Sequence, residues 1–230
     1  MADWPTTPDE LIRVQEDLRC QVAPFWRPGD LPLEVGACFV CFVSGLSPTG
    51  ARGDAGWAGA SLLQNNQVVA TSVVRGTAGA PYRPGLLALR EGPLLEAAVR
   101  ALPRLPDVLL VNATGRDHPH RSGLALHLGV ILDVPTIGIT NRPLIARGEW
   151  PAPARGCTSS LHLEGELAGV WLRTRSGAHP VAVHPAWRTE VAACVEVVLA
   201  VSIKARTPEP LRQARRIART ARAKDQSDAL

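Results

Sequence analysis

Cys38 and Cys41 stand in the stretch VGACFVCF with the C-x-x-C spacing that redox pairs and half zinc sites use. The stretch reads as a buried strand, where residues three apart point to opposite faces, so a disulfide or shared zinc ion within it is not expected. A second concentration of reactive groups is NATGRDHPHR, directly after the apolar strand Asp107–Val111. Ligands of α/β sheets gather at the carboxyl ends of such strands, which makes Asn112, Asp117 and His118 the leading candidates on position alone. Asp117 and His118 could position a proton or bind a phosphate, or sit in a surface loop without a role. A third group is Arg212, Arg215, Arg216, Arg219 and Arg222 near the C-terminus, which reads as a solvated helix face or as a set of phosphate contacts.

The elements that must position these groups follow from periodicity. Leu11, Val14, Leu18 and Val22 have helical spacing. GWAGASLLQ and QVVATSVVRG flank the turn Gln64-Asn65-Asn66 and predict a hairpin. Helices are predicted at REGPLLEAAVRAL, SGLALHLGVILD, RTEVAACVEVVLAVSI and PEPLRQARRIARTARA. Strands are predicted at DVLLVNA, VPTIGIT, LEGELAGVWLRT and HPVAVHP. Hairpin strands first, then alternating helix and strand, describe an α/β domain with a mixed sheet and helices on both faces. A single domain over residues 1–224 is expected, with 225–230 a frayed tail.

Several segments together resemble the endonuclease V family, whose fold is ribonuclease H-like. They are PYRPGLLALRE, GRDHPHRSGLALHLG, LDVPTIGIT and PEPLRQARRIAR, in family order over nearly the whole chain. The resemblance implies cleavage of DNA or RNA near a deaminated purine, chiefly inosine, with Mg²⁺ or a similar ion held by carboxylates. It implies a base-recognition element at Pro81, Tyr82, Pro84, Gly85 and Leu87, with Tyr82 able to stack on a base.

The implied catalytic positions are only partly filled. The family glutamate matches Glu91, and the histidine of its HP element is His118. The second aspartate falls on Asn112, the lysine on Asn141, and the late-helix acid fits Glu190 best. The first-strand aspartate falls on Cys38, or on Phe39 if Phe42 is the anchor. The expected metal ligands reduce to Glu91 and Glu190, since an amide carries no charge and a thiol is a soft, poor partner for Mg²⁺. Glu190 is expected to face inward with Cys194, and Asp54 is a further carboxylate in the loop GARGDAGW. No lysine precedes Lys204 to replace the missing one.

Two readings follow. In one, an endonuclease V-like protein with a degraded divalent-metal site still binds inosine-containing or single-stranded nucleic acid. In the other, the fold acts on a small metabolite, as an enzyme or as one subunit of a hetero-oligomer, with Cys38, Glu91, Asn112 and His118 lining its pocket and Cys38 as nucleophile. The 230 residues are 46% hydrophobic and 20% charged, as in a globular protein. No apolar run reaches membrane-spanning length and the N-terminus lacks a signal-peptide pattern, so a cytoplasmic protein is expected.

Overall fold

A computed structural model describes residues 4–29, 33–43 and 49–228. Its centre is one mixed eight-stranded sheet in the order β3-β2-β1-β4-β5-β8-β7-β6. β1 (Glu34–Phe42), β4 (Val108–Val111) and β5 (Thr136–Thr140) run parallel, and the remaining pairings are antiparallel. β2 (Ala55–Gln64) and β3 (Gln67–Thr77) form the predicted hairpin. Its turn residues Asn65 and Asn66 have φ of 51° and 59°, the left-handed pair that a two-residue hairpin turn requires.

Alternation along β1 divides its side chains between two helical layers. Cys38 and Val40 pack with α1 (Pro8–Cys20), α2 (Leu87–Arg100) and α3 (Leu124–Leu132). Val35, Ala37 and Phe39 face the other layer, α4 (Val191–Ala200) and α5 (Glu209–Ser227). Cys41 packs with Trp57 and Ala218 on the α5 side, so the two thiols of the C-x-x-C lie on opposite faces. The same alternation separates the two candidates for the first-strand acid: Cys38 faces α2 and Phe39 faces α5.

Several elements differ from their predicted bounds. The run LEGELAGVWLRT is not one strand. Glu164 and Gly165, with φ of 53° and 83°, turn the chain between β6 (Thr158–Leu163) and β7 (Glu166–Leu172). β6 escaped prediction because TSSLHL lies at a sheet edge and buries only Leu161 fully. β8 (Val181–Pro185) joins this hairpin to β5. Val22 lies beyond the end of α1 and is exposed; Gln15 fills the inward position instead. α5 continues through Ser227, and Trp57 Nε1 donates to Asp225 at 2.8 Å, so residues 225–227 are helical where a frayed tail was expected; residues 229–230 lie outside the described residues. Among the described residues, no helix is long and apolar enough to cross a membrane.

Candidate functional site

The turn Pro81–Leu87 is held from two sides. Gly85 has φ of +80°, a conformation that favours glycine. Its carbonyl accepts hydrogen bonds from Gln15 of α1 at 3.2 Å and from His118 Nε2 at 2.9 Å. His118 Nδ1 in turn accepts the backbone N–H of His120 at 3.1 Å, so the neutral ring carries its proton on Nε2. Burial lowers the His118 pKa to about 4, against the opposing effect of the Gly85 bond. His118 is therefore a neutral clasp between this turn and the loop after β4.

Asp117 is fully buried, and its carboxylate accepts the backbone N–H groups of Leu144, Ile145 and Ala146 at 2.6, 2.9 and 2.7 Å. Neither Asp117 nor His118 is the surface loop residue that its polar neighbourhood suggests. Asp117 shapes the segment after β5, and sequence reasoning gave it no such role. The signal was present only as an acid in the polar loop that follows an apolar strand.

Between these supports lies a cavity of about 280 Å³. Tyr82, Pro84, Gly85 and Leu87 form one wall, Asn112 and Ala113 another, with His118 also in contact. Tyr82 is 46% exposed at its rim. Pro81 lies outside this cavity and, with Tyr82, borders a neighbouring one. Four of the five expected base-recognition residues thus share one concave wall.

The expected pocket set of Cys38, Glu91, Asn112 and His118 is not assembled as such: Asn112 and His118 line the cavity, whereas Cys38 and Glu91 do not. Glu91 lies in the second turn of α2 rather than opening it. Burial raises its carboxyl pKa to about 8, with Arg90 opposing the shift. Cys38 is buried, and burial together with the nearby Glu91 charge pushes its thiol well above the usual range. A buried, protonated thiol off the cavity wall is not a nucleophile for a ligand in that cavity.

Glu190 does not face inward as expected. It is the N-cap residue of α4 and pairs with the exposed Arg27 at 3.7 Å, beside a separate cavity that also contains Arg116 and Phe25. Its position before the first helical turn removes it from the inward stripe of Cys194, Val197 and Val201. Asp54 is taken up by Arg90 at 3.1 Å and by the Ala51 N–H at 2.7 Å, closing its own loop. The residue that approaches Asn112 from a late helix is Arg215 of α5, whose Nη2 lies 3.5 Å from Asn112 Oδ1. Among the described residues, no three His, Cys, Asp or Glu side chains are grouped so that they could hold a metal ion.

The endonuclease V family profile matches residues 43–216 of the chain. An endonuclease V from Trichormus variabilis is 36% identical over 221 residues, covering 94% of this chain and 95% of that protein. One from Myxococcus xanthus is 36% identical over 225 residues, covering 96% and 92%. The solved endonuclease V from Streptomyces avermitilis superposes with a TM-score of 0.87 at 35% identity, covering 98% of this chain and 97% of that one. An endonuclease V from Ciona intestinalis, solved in complex with an inosine-containing 24mer DNA, shares the fold at a TM-score of 0.70 and 21% identity, covering 94% and 98%. On sequence and on fold alike, the chain belongs to the endonuclease V family.

Proposed function

We propose that this protein recognises a displaced base, inosine above others, in a nucleic-acid strand, and that it does not cleave by the metal-dependent route of its family. The observation that carries the reading is the cavity beside Tyr82: a concave wall that a base could enter stands next to a site where Glu91 is the one carboxyl left of the expected ligand set. Relatives named endonuclease V, and a structure of one holding inosine-containing DNA, support nucleic acid as the ligand class.

The donor set does not fit Mg²⁺. A hard dication asks for several charged oxygens in octahedral array. Here Glu91 is the one carboxyl of the expected set at the centre, Cys38 is a buried thiol and so a soft, poor partner for Mg²⁺, and the Asn112 oxygen, which carries no charge, already faces the Arg215 guanidinium. Losing several members of one catalytic unit lowers turnover by roughly 10³-fold or more. Within this reading Tyr82 stacks at the rim, Gly85 and Leu87 shape the wall, and His118 acts by fixing Gly85 rather than by moving a proton.

The test is binding and cleavage of a labelled inosine-containing single strand against a matched adenine strand, with and without Mg²⁺ or Mn²⁺. Tighter binding of the inosine strand, weakened by Tyr82→Ala, with no metal-dependent product, is the expected result. Metal-dependent cleavage abolished by Glu91→Gln would restore the ordinary nuclease reading. Absence of binding to either strand at low salt would remove nucleic acid as the ligand.

A further inference from the structure

We propose that Arg215, seconded by Arg219, is a phosphodiester clamp that holds the strand beside the base cavity by a fixed guanidinium instead of a metal ion. The inference rests on the reading above for the identity of the strand, but it concerns a different part of the surface.

α5 is amphipathic. Leu211, Ala214 and Ala218 are buried beneath it, while the arginines follow its outer face. Most of those arginines have local partners. Arg212 pairs with Glu209, Arg216 Nε donates to Gln213 Oε1 at 3.1 Å, and Arg222 donates to the Phe42 carbonyl at 3.0 Å. Arg215 does not. Its Nε is buried without a partner, and its one hydrogen bond among the described residues is the long contact to Asn112.

Among the described residues, no acid pairs with Arg215. Burial and the like charge of Arg219 both lower its pKa, so the guanidinium is held against an electrostatic cost. Arg215 and Arg219 lie over the Phe39 ring at 5.1 and 5.8 Å from its centroid, which orients both heads on one platform. Next to them is an open cavity of about 510 Å³ walled by Arg206, Arg212, Arg215, Arg216 and Arg219, with no acidic residue in its lining among the described residues. A pre-oriented guanidinium beside such a space, with no carboxylate partner among the described residues and only the long contact to Asn112, suits the anionic oxygens of a phosphodiester.

Asn112 joins the two regions. It lines the base cavity on one side and meets Arg215 on the other. A nucleotide whose base enters the cavity therefore has its backbone at the arginine side. A fixed positive charge at Asn112 also opposes a divalent cation there. Binding should accordingly be indifferent to metal.

The experiment is fluorescence anisotropy of a labelled inosine-containing single strand over a salt series, in EDTA and in Mg²⁺. It uses the wild type, Arg215→Gln, Arg215→Lys and Arg219→Gln, with a matched adenine strand as reference. EDTA should change the wild-type Kd by less than about twofold. Arg215→Gln should weaken binding about tenfold and reduce the slope of log K against log salt by roughly 0.7, one phosphate contact on a single strand. Arg215→Lys should recover the slope, and the inosine preference should survive in all variants. If Arg215→Gln unfolds, the exposed Arg219→Gln carries the same test with a smaller loss.

An unchanged Kd and slope in both glutamine variants, or binding that requires Mg²⁺, overturns the clamp. Retained inosine preference with no arginine effect sinks the clamp and leaves the base reading standing. An arginine-dependent slope with no inosine preference does the reverse. No binding at low salt removes both.

Discussion

A glutamate at position 91 can be a metal ligand, a helix-dipole partner or a buried acid, and its surroundings decide among them. Burial holds its carboxyl near a pKa of about 8, above the ordinary value of 4.5. Between those values the unfolded chain has lost the proton that the folded chain keeps. Stability contributed by this group therefore falls as pH rises through that window. Glu91→Gln mimics the neutral acid and removes the dependence. Thermal melts of the two proteins should diverge as pH rises from about 4 to about 8, with Glu91→Gln the more stable. The gap should reach roughly 3 °C or more, the shift that about 1 kcal/mol produces in a chain of this size. A Tm difference that does not change with pH would show that Glu91 is ionised in the folded chain. The residue type was legible in the sequence, and so was its match to the family glutamate. The protonation state was not, because it depends on what β1 and α2 place around the carboxyl.

Among the elements, the turn Pro81–Leu87 is where local chemistry and tertiary support meet. PYRPG reads as a turn from its prolines and glycine, but its fixing by Gln15 and His118 spans 70 and 33 residues of chain. Gly85→Ala would place a Cβ 3.6 Å from His118 Nε2, an ordinary contact. Its cost is therefore in the backbone at φ +80°, about 1–2 kcal/mol. Denaturant unfolding should show that loss, with a smaller one for Gly85→Asn, and base discrimination should decline with it. A loss well above this range would mean that the methyl displaces His118. The hairpin at Asn65-Asn66 was equally legible, since paired left-handed residues carry a sequence signature. β6 was not: its polar, edge-strand composition resembles a loop, and only pairing with β7 makes it a strand.

In the molecule as a whole, one sheet serves two helical layers. Adjacent β4 residues Leu109 and Leu110 face opposite sides, Leu109 toward the layer of α1, α2 and α3 and Leu110 toward that of α4 and α5. Either leucine changed to alanine should cost about 2–5 kcal/mol. Because the strand belongs to both layers, each variant should unfold in one step. Tryptophan fluorescence reads both layers, since Trp4 packs on one and Trp26 on the other. It should coincide with far-UV circular dichroism; separated transitions would show that the layers unfold independently.

The sequence by itself determined the family, the mixed α/β architecture and the candidate base-recognition turn, because these rest on local patterns: strand alternation, helix periodicity and a short specific motif. It also determined that Asn112 and Cys38 stand where the resemblance expects acids. Only the tertiary structure decided which charged groups meet. Glu190 was chosen from helix position, yet it stands before the first turn of α4 and pairs with Arg27. Arg215 was one arginine among five, read as a solvated face or as phosphate contacts without distinction, yet the packing of α5 on β1 and β2 brings it to Asn112, 103 residues away. Spacing along a helix reveals which side chains share a face, but not which strand end that face will meet. That meeting is fixed by the burial of Leu211, Ala214 and Ala218, which sets how the helix lies on the sheet.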